Sequence, residues 1–416
     1  MARIALLVTD AYYPLTMAGA HRLAKMARFL PDAGWTPIVV CREWTASNSA
    51  GAYDSALGRE TDVCETIRLK DAGFSLQFRA RLQRRVEGVL WPYKAPIRLM
   101  WRMRRTAFEL ARSRRVDVVW SSFIPGYVHC VASDLARRLG VRWVADFRDL
   151  PDQTYVNRHT RRLLVNERRT CAPAVALTTT TSALAAQLAR RHRAPVHVVE
   201  NGFDEDDYRS TVPVSRDEFV IAYFGILYAF RDPRPLFQAL DRLAGRAAID
   251  LGRVRVRFYG TSMDRIRALA NGFVCSSAVE VLPRVGRSEM FTLQQNATVL
   301  LNLQGSEAGG AVPSKLFEYL GARRPILNIP GDQGAGDAVL SRTGAGHTAN
   351  GVEEIADVVG AWYGEWKKTG VVRWPGRVSE VMFYSRRNQA AILGRVFDKA
   401  VSQTPPLNVD GSVCLS

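Results

Sequence analysis

Ten consecutive residues, Gly309-Gly310-Ala311-Val312-Pro313-Ser314-Lys315-Leu316-Phe317-Glu318, combine two glycines, a proline, a lysine and a glutamate. Proline suits the first turn of a helix, so Pro313 starts one. The glycines ahead of it let backbone come close to a ligand. First-turn N–H groups and the positive end of the helix dipole then face an anion such as a diphosphate. Lys315 adds a full charge. Glu318, one turn on, can accept two hydrogen bonds from a vicinal diol such as that of a ribose. Gly309, Gly310, Ala311, Val312, Ser314, Lys315 and Glu318 are therefore expected to line a nucleotide diphosphate site.

Other charged and small residues also follow apolar, β-rich runs. Val144-Ala145-Asp146-Phe147-Arg148-Asp149 ends one such run with two carboxylates around an arginine. Ser121-Ser122-Phe123-Ile124-Pro125-Gly126-Tyr127-Val128-His129 follows another, and Pro125 sets His129 near a helix start over the same edge. Asp146 and His129 are the expected catalytic residues of the N-terminal half. Gly19 opens the first helix, where no G-x-G-x-x-G fingerprint of a nicotinamide dinucleotide site is found. In the C-terminal half Gly225 closes a strand and Arg231 precedes a helix. A guanidinium grips phosphate oxygens with paired donors, so Arg231 joins Lys315 as a cation for a departing phosphate. The D-x-D string in Asp204-Glu205-Asp206-Asp207 follows the turn residues Asn201-Gly202 and reads as solvated, and no metal site is expected.

The elements that must position these residues alternate between strand and helix over nearly the whole chain, the signal of parallel sheets covered by helices. Strands are expected at Arg3–Val8, Pro37–Cys41, Val116–Ser121, Arg142–Asp146, Val175–Thr178 and Val196–Val199. The pattern restarts at Phe219–Phe224, Val254–Tyr259, Val279–Leu282, Thr298–Leu303 and Pro325–Ile329. Most are unbroken apolar runs, as in strands buried on both faces. His21–Ala33 is a helix with Leu23, Met26, Ala27 and Leu30 on one face. The 416 residues thus divide into an N-terminal α/β domain over 1–203, a linker over 204–217, and a second α/β domain over 218–385. A helix over 386–403 crosses back to the first domain, and 404–416 forms a loose tail.

The net charge of +17 favours anionic partners. It concentrates between Arg68 and Arg115, where fourteen Lys or Arg oppose three acidic residues, a net of +11, interleaved with Phe, Leu and Trp. Such a segment suits an anionic membrane surface. No nucleic-acid module accompanies the charge, so nucleic acid is not an expected partner, although a non-enzymatic nucleic-acid-binding protein stands as one rival reading. The six cysteines form no C-x-x-C pair, and no run approaches the length of a membrane span. The protein is expected to be cytoplasmic, or peripheral on the inner face of the cell membrane.

These motifs, in this order, resemble the family 4 glycosyltransferases of the GT-B fold. The resemblance rests on Ser121-Ser122 with Pro125 and His129, on Asp146-Phe147-Arg148-Asp149, on Glu200-Asn201-Gly202-Phe203-Asp204, on Gly225 with Arg231, and above all on Val312-Pro313-Ser314-Lys315-Leu316-Phe317-Glu318-Tyr319-Leu320 running to Arg324-Pro325-Ile326-Leu327. It covers roughly residues 3 to 400. It implies two Rossmann-like domains facing a central cleft, with a nucleoside diphosphate sugar held by the C-terminal domain, a UDP-sugar being the first guess, and no further cofactor. Glu318 matches the carboxylate that holds the ribose hydroxyls, and Gly19 the glycine of the first loop. Retention of configuration and independence from metal are also implied, as is an acceptor that is a small molecule or lipid-linked, in cell-surface glycan or secondary-metabolite biosynthesis. The family's E-x7-E is absent, because Gly310 stands at the position of the first glutamate, with Glu307 nearby. A sugar-nucleotide 2-epimerase of the same fold is the alternative within the architecture.

Overall fold

The computed structural model describes residues 3–49, 52–57, 63–71, 96–151, 160–208, 214–260, 263–304 and 310–402. They form two units. The first holds the chain up to Asn201 and again from Arg386, and the second is Gly202–Ser385.

In the first unit the strands are β1 (Arg3–Val8), β2 (Trp35–Arg42), β3 (Glu65–Leu69), β4 (Val118–Phe123), β5 (Arg142–Phe147), β6 (Ala176–Thr179) and β7 (Val196–Val198). The helices between them are α1 (Ala18–Phe29), α2 (Ile97–Ser113), α3 (Tyr127–Leu139), α4 (Thr160–Cys171) and α5 (Ser182–Arg191). In the second unit the strands are β8 (Phe219–Phe224), β9 (Val254–Tyr259), β10 (Val279–Leu282), β11 (Val299–Leu303), β12 (Ile326–Ile329) and β13 (Gly346–Thr348). Its helices are α6 (Arg234–Gly245), α7 (Met263–Ala270), α8 (Arg287–Asn296), α9 (Ser314–Ala322), α10 (Ala335–Thr343), α11 (Val352–Thr369) and α12 (Val378–Met382), and α13 (Arg386–Ser402) returns to the first unit.

All strand pairings are parallel, in the orders β3-β2-β1-β4-β5-β6-β7 and β10-β9-β8-β11-β12-β13. Both orders reverse direction beside their first strand, between β1 and β4 and between β8 and β11. Ligands of such sheets bind beyond the carboxyl ends of the strands at that reversal.

Each sheet is covered on both faces, so its central strands are buried along nearly their whole length; all residues of β4, β8 and β11 are buried. On one face of the first sheet Leu6, Val8, Val40 and Val119 meet Leu99, Val128, Leu135 and Leu188. On the other, Leu7, Val39 and Trp120 meet Leu23, Met26, Leu393 and Phe397. The second sheet repeats the plan, with Phe219, Ile221 and Val256 on Leu236 and Val359, and Val220, Phe224 and Leu300 on Leu316 and Leu320.

Two strands had no sequence signal, and the reason is their position. β3 and β13 lie at sheet edges, with only Leu69 fully buried among their residues. A short edge strand needs no continuous apolar run. The start of the expected linker is also more structured than its composition suggests. Phe203 is buried, Asp204 is 3% exposed, and Glu205–Tyr208 form a 3₁₀ turn. The solvated reading of Asp204-Glu205-Asp206-Asp207 therefore fails: Asp204 Oδ1 caps the turn by accepting the Asp206 N–H, and Asp207 faces Arg287.

Helix α13 closes the second face of the first sheet over α1. Gly394 permits the approach, since a Cβ there would lie 2.7 Å from that of Ala33. The Phe397 ring meets Trp35 edge-on at 5.3 Å, and the Trp35 indole N–H donates to Asp398. Phe397 is fully buried, so Phe397→Ala should lower the stability of this unit by about 3–5 kcal/mol. Urea unfolding followed by tryptophan fluorescence checks this, and a loss below about 1 kcal/mol would mean the helix does not seal the sheet.

Candidate functional site

The residues singled out in the C-terminal half converge at the carboxyl end of β8. The Gly225 N–H donates to Tyr259 O of β9, so the preceding amide, that of Phe224, points toward β11. There the ladder has already ended, at Leu300↔Ala222. The hydroxyl of Tyr319 in α9 accepts the Phe224 N–H at 3.0 Å instead. That bond docks α9 on the strand end.

Gly225 then turns away at φ +117°, and Gly260, at φ +153°, passes so close that a Cβ on it would lie 2.3 Å from Gly225 O. Helix α9 starts after Pro313 with no side-chain cap and no acidic residue in its first turn. Lys315 Nζ sits 3.8 Å from the centroid of the Tyr223 ring, and a Cβ on Gly225 would lie 3.4 Å from it. Glu318, one turn on, is part-exposed. Its Oε1 lies 3.4 Å from Arg287, while its Oε2 has no hydrogen-bond partner among the described residues. The arrangement combines an uncapped helix start, an ammonium and an open carboxylate oxygen, which can take an anion and a hydroxyl pair about one helical turn apart.

The remaining residues of the set divide. Gly310 adopts φ +77°, and Ala311 and Ser314 are part-exposed beside the helix start. Val312 is buried in the core behind α9. Gly309 lies outside the described residues. Arg231 is 4% exposed, with its guanidinium carbon 5.2 Å from the Tyr228 ring and 5.6 Å from that of Phe230. Those two rings stack at the mouth of the same loop.

The residues singled out in the N-terminal half are buried. Asp146 is fully buried and its oxygens are engaged: Oδ2 accepts the Ser122 hydroxyl at 2.7 Å, and Oδ1 accepts Thr178 at 2.8 Å and Arg22 at 3.4 Å. Arg22, equally buried, also donates to the carbonyls of Val199 and Glu200. The group ties α1, β4, β5, β6 and the chain after β7 together. Removing one member would leave a buried charge unpaired, a cost of about 3–5 kcal/mol. These contacts give Asp146 a structural role in this unit.

His129 is likewise sealed in, 3% exposed among the rings of Phe123, Trp143 and Phe147. Its Nδ1 lies 2.7 Å from Ser121 Oγ, which also accepts the Trp143 indole N–H. Burial, and secondarily the charge of His192, pushes its pKa down to about 3. Within this unit the imidazole is enclosed and held neutral. Gly19 is explained by Arg148, whose guanidinium lies over it: a Cβ there would lie 2.0 Å from Nη1. Arg148 itself is held by its Nε donating to Phe123 O. Sequence reasoning missed Arg22, Arg287 and Tyr208. Arg22 carried a faint signal, a charge within a helix whose residues are buried nearly all round. Arg287 and Tyr208 carried none.

The fold recurs in solved structures. Sucrose-phosphate synthase from Thermosynechococcus elongatus matches with a TM-score of 0.64 and 12% identity, over 95% of this chain and 99% of that one. HepE from Anabaena, in complex with UDP and glucose, matches at 0.64 and 14%, over 95% and 99%. The lipopolysaccharide outer core galactosyltransferase WaaB matches at 0.57 and 12%, over 95% and 99%. No curated protein matches the sequence. The two parallel-sheet α/β units are those of the GT-B glycosyltransferase fold. Residues 18–202 match the model of the glycosyl transferase 4-like domain family.

The buried histidine supplies a test of the core. His129 stays neutral in the fold down to about pH 3, whereas in the unfolded chain it takes a proton near 6.5. Its contribution is therefore present above pH 6.5 and is lost progressively as pH falls toward 3. Between pH 6.5 and 5 the loss is about 2 kcal/mol. Urea unfolding at pH 7 and pH 5 should show His129→Phe losing less stability than the parent over that interval; equal losses would contradict the burial argument.

Proposed function

We propose that this chain transfers a sugar from a nucleoside diphosphate sugar to an acceptor hydroxyl, with a UDP-sugar as the first donor to test. The observation that carries the reading is the carboxyl end of β8, where Lys315 at the uncapped start of α9 sits beside Gly225 and Glu318 presents an unpartnered oxygen one turn on. In such a transfer negative charge grows on the departing diphosphate as the anomeric carbon becomes positive. In this proposal Lys315 and the helix start face that charge and stabilise it without reorganising. Arg231, on the loop that follows Gly225, is the second cation of the proposal, and Glu318 holds the ribose hydroxyls. HepE has been solved with UDP-glucose, and its fold is shared. Retention of configuration and independence from metal belong to the proposal through the family resemblance.

The proposed acceptor is lipid-linked or otherwise anionic, met at the inner face of the cell membrane in the making of a cell-surface glycan. Helix α2 turns Leu99, Met103, Ala107 and Ala111 inward and leaves Trp101 56% exposed beside Arg104, Arg105 and Arg112. Two of its arginines are already paired, Arg104 with Asp134 and Arg105 with Glu109, so its surface is less charged than the residue count suggests. Residues 72–95 of the basic segment lie outside the described residues. No helix among the described residues is long and apolar enough to cross a membrane.

Thermal shifts with UDP, GDP, ADP and TDP should single out one base, because a ligand of the native state raises its apparent stability. With that ligand, Glu318→Ala should weaken binding by about 1.5–3 kcal/mol. Lys315→Ala should weaken the diphosphate far more than the nucleoside. Unchanged affinity in both folded variants would sink the donor reading, and consumption of the nucleotide sugar without any acceptor would favour the epimerase. For the membrane, pelleting with phosphatidylglycerol vesicles but not phosphatidylcholine, reversed near 1 M salt and by Arg105→Glu with Arg112→Glu, is expected, since the screening length there is about 3 Å. Absence of pelleting at low salt would point to a small-molecule acceptor.

A further inference from the structure

Glu318 does not set its own orientation. Its Oε1 lies 3.4 Å from Nη1 of Arg287, whose Nη2 lies 3.5 Å from Oδ2 of Asp207. The three side chains are 18%, 16% and 13% exposed, which screens them less than a surface ion pair. Arg287 opens α8, and its guanidinium packs 4.6 Å from the centroid of the Phe291 ring one turn later. Asp207 comes from the short turn Glu205–Tyr208. The neighbouring Tyr208 hydroxyl donates to the backbone oxygen of Glu318 at 2.7 Å and lies 2.8 Å from Gln294 Oε1. Gly321, on the same face of α9 as Glu318, leaves room for that ring; a Cβ there would lie 2.5 Å from Tyr208 Cε2. One turn of chain therefore grips Glu318 twice, by its backbone through Tyr208 and by its carboxylate through Arg287.

We propose that Arg287, anchored by Asp207, is a positioning residue that aims Glu318 at a ribose and makes the site prefer ribonucleotides over 2′-deoxyribonucleotides. The inference rests on the reading of Glu318 as the ribose carboxylate. Among the described residues Glu318 meets this arginine through one oxygen, so it keeps acceptor capacity for hydroxyl donors. Arg287 engages Oε1 and leaves Oε2 open. Asp207 has the complementary task. A guanidinium facing a single carboxylate tends to pair with both oxygens in a fork, and that geometry would occupy the oxygen the diol needs. By holding Nη2, Asp207 keeps the contact to Glu318 single. A site built to hydrogen-bond a hydroxyl discriminates against the analogue that lacks it, because its buried polar group is left unpaired.

The test is titration calorimetry on the full chain with whichever of UDP, GDP and ADP binds tightest, against its 2′-deoxy counterpart. The parent should prefer the ribonucleotide by about tenfold or more, the scale of a hydrogen bond to a charged group. Arg287→Ala should weaken the ribonucleotide by about tenfold and the deoxy form by about twofold or less, collapsing the preference. Arg287→Lys should restore part of it, and Asp207→Asn, which keeps shape and the turn, should shift it the same way as Arg287→Ala. In turnover the change should fall on KM for the nucleotide sugar with kcat nearly unchanged. A folded Arg287→Ala or Asp207→Asn that keeps the full preference, or that loses both ligands equally, overturns the positioning role. If Glu318→Ala abolishes the preference while Arg287→Ala does not, only the positioning role falls. If Glu318→Ala leaves it intact, or the parent shows no preference, the ribose reading falls with it.

Discussion

The hydroxyl of Tyr319 takes up a backbone amide that the sheet cannot satisfy, and the site around it follows from that bond. Strand β8 runs further than its pairing with β11, so the Phe224 N–H faces β11 beyond the point where the two strands stop pairing. A buried amide without a partner costs about 1–3 kcal/mol. Tyr319 removes the deficit and in doing so fixes where α9 meets the strand end. Lys315 and Glu318 lie four and one residues before Tyr319 on the same short helix, so their heights above the sheet are set by this contact. The two glycines at the ends of β8 and β9 complete the arrangement, because a side chain on Gly260 would collide with the backbone that α9 approaches.

The two units spend their charged residues differently. In the first, the conspicuous Asp146 neutralises Arg22 inside the fold and cross-links one helix with several strand ends. His129 fills space among aromatic rings and has lost its basicity to burial. In the second, Lys315 and Glu318 stand at a strand end where backbone turns away and leaves room. A charge in the fold and a charge in a site have the same sequence signature, a polar residue after an apolar run. They differ in whether the carboxylate oxygens are taken: both of Asp146's accept hydrogen bonds, while Glu318 Oε2 has no partner among the described residues.

The turn after the first unit illustrates a third use of charge. Asp207 and Tyr208 reach Glu318 from a segment far away in sequence, one through Arg287 and the other through the helix backbone. A run of acidic residues that looked like solvated punctuation is thus part of the support beneath the open carboxylate. The physical logic is that a carboxylate meant to meet neutral hydroxyls must be partly neutralised to sit half-buried, yet not so fully that its acceptors are consumed.

Local pattern alone specifies the layered α/β architecture, the repetition of the sheet, and the strand ends at which chemistry could sit. Those are properties of periodicity and of local punctuation: apolar runs buried on both faces, a proline at a helix start, glycines where backbone must turn. It also singled out Lys315 and Glu318, because their helix carries its own start signal. The edge strands β3 and β13 escaped, since an edge needs few apolar residues. Which charges are spent on the fold depends on contacts between residues distant in sequence. Arg22 and Asp146 are 124 residues apart, Asp207 and Glu318 are brought together by Arg287, and no local pattern records such pairs. Hydrogen-bond satisfaction depends on which atoms the folded chain places within about 3 Å, and that is fixed by packing across the sheets.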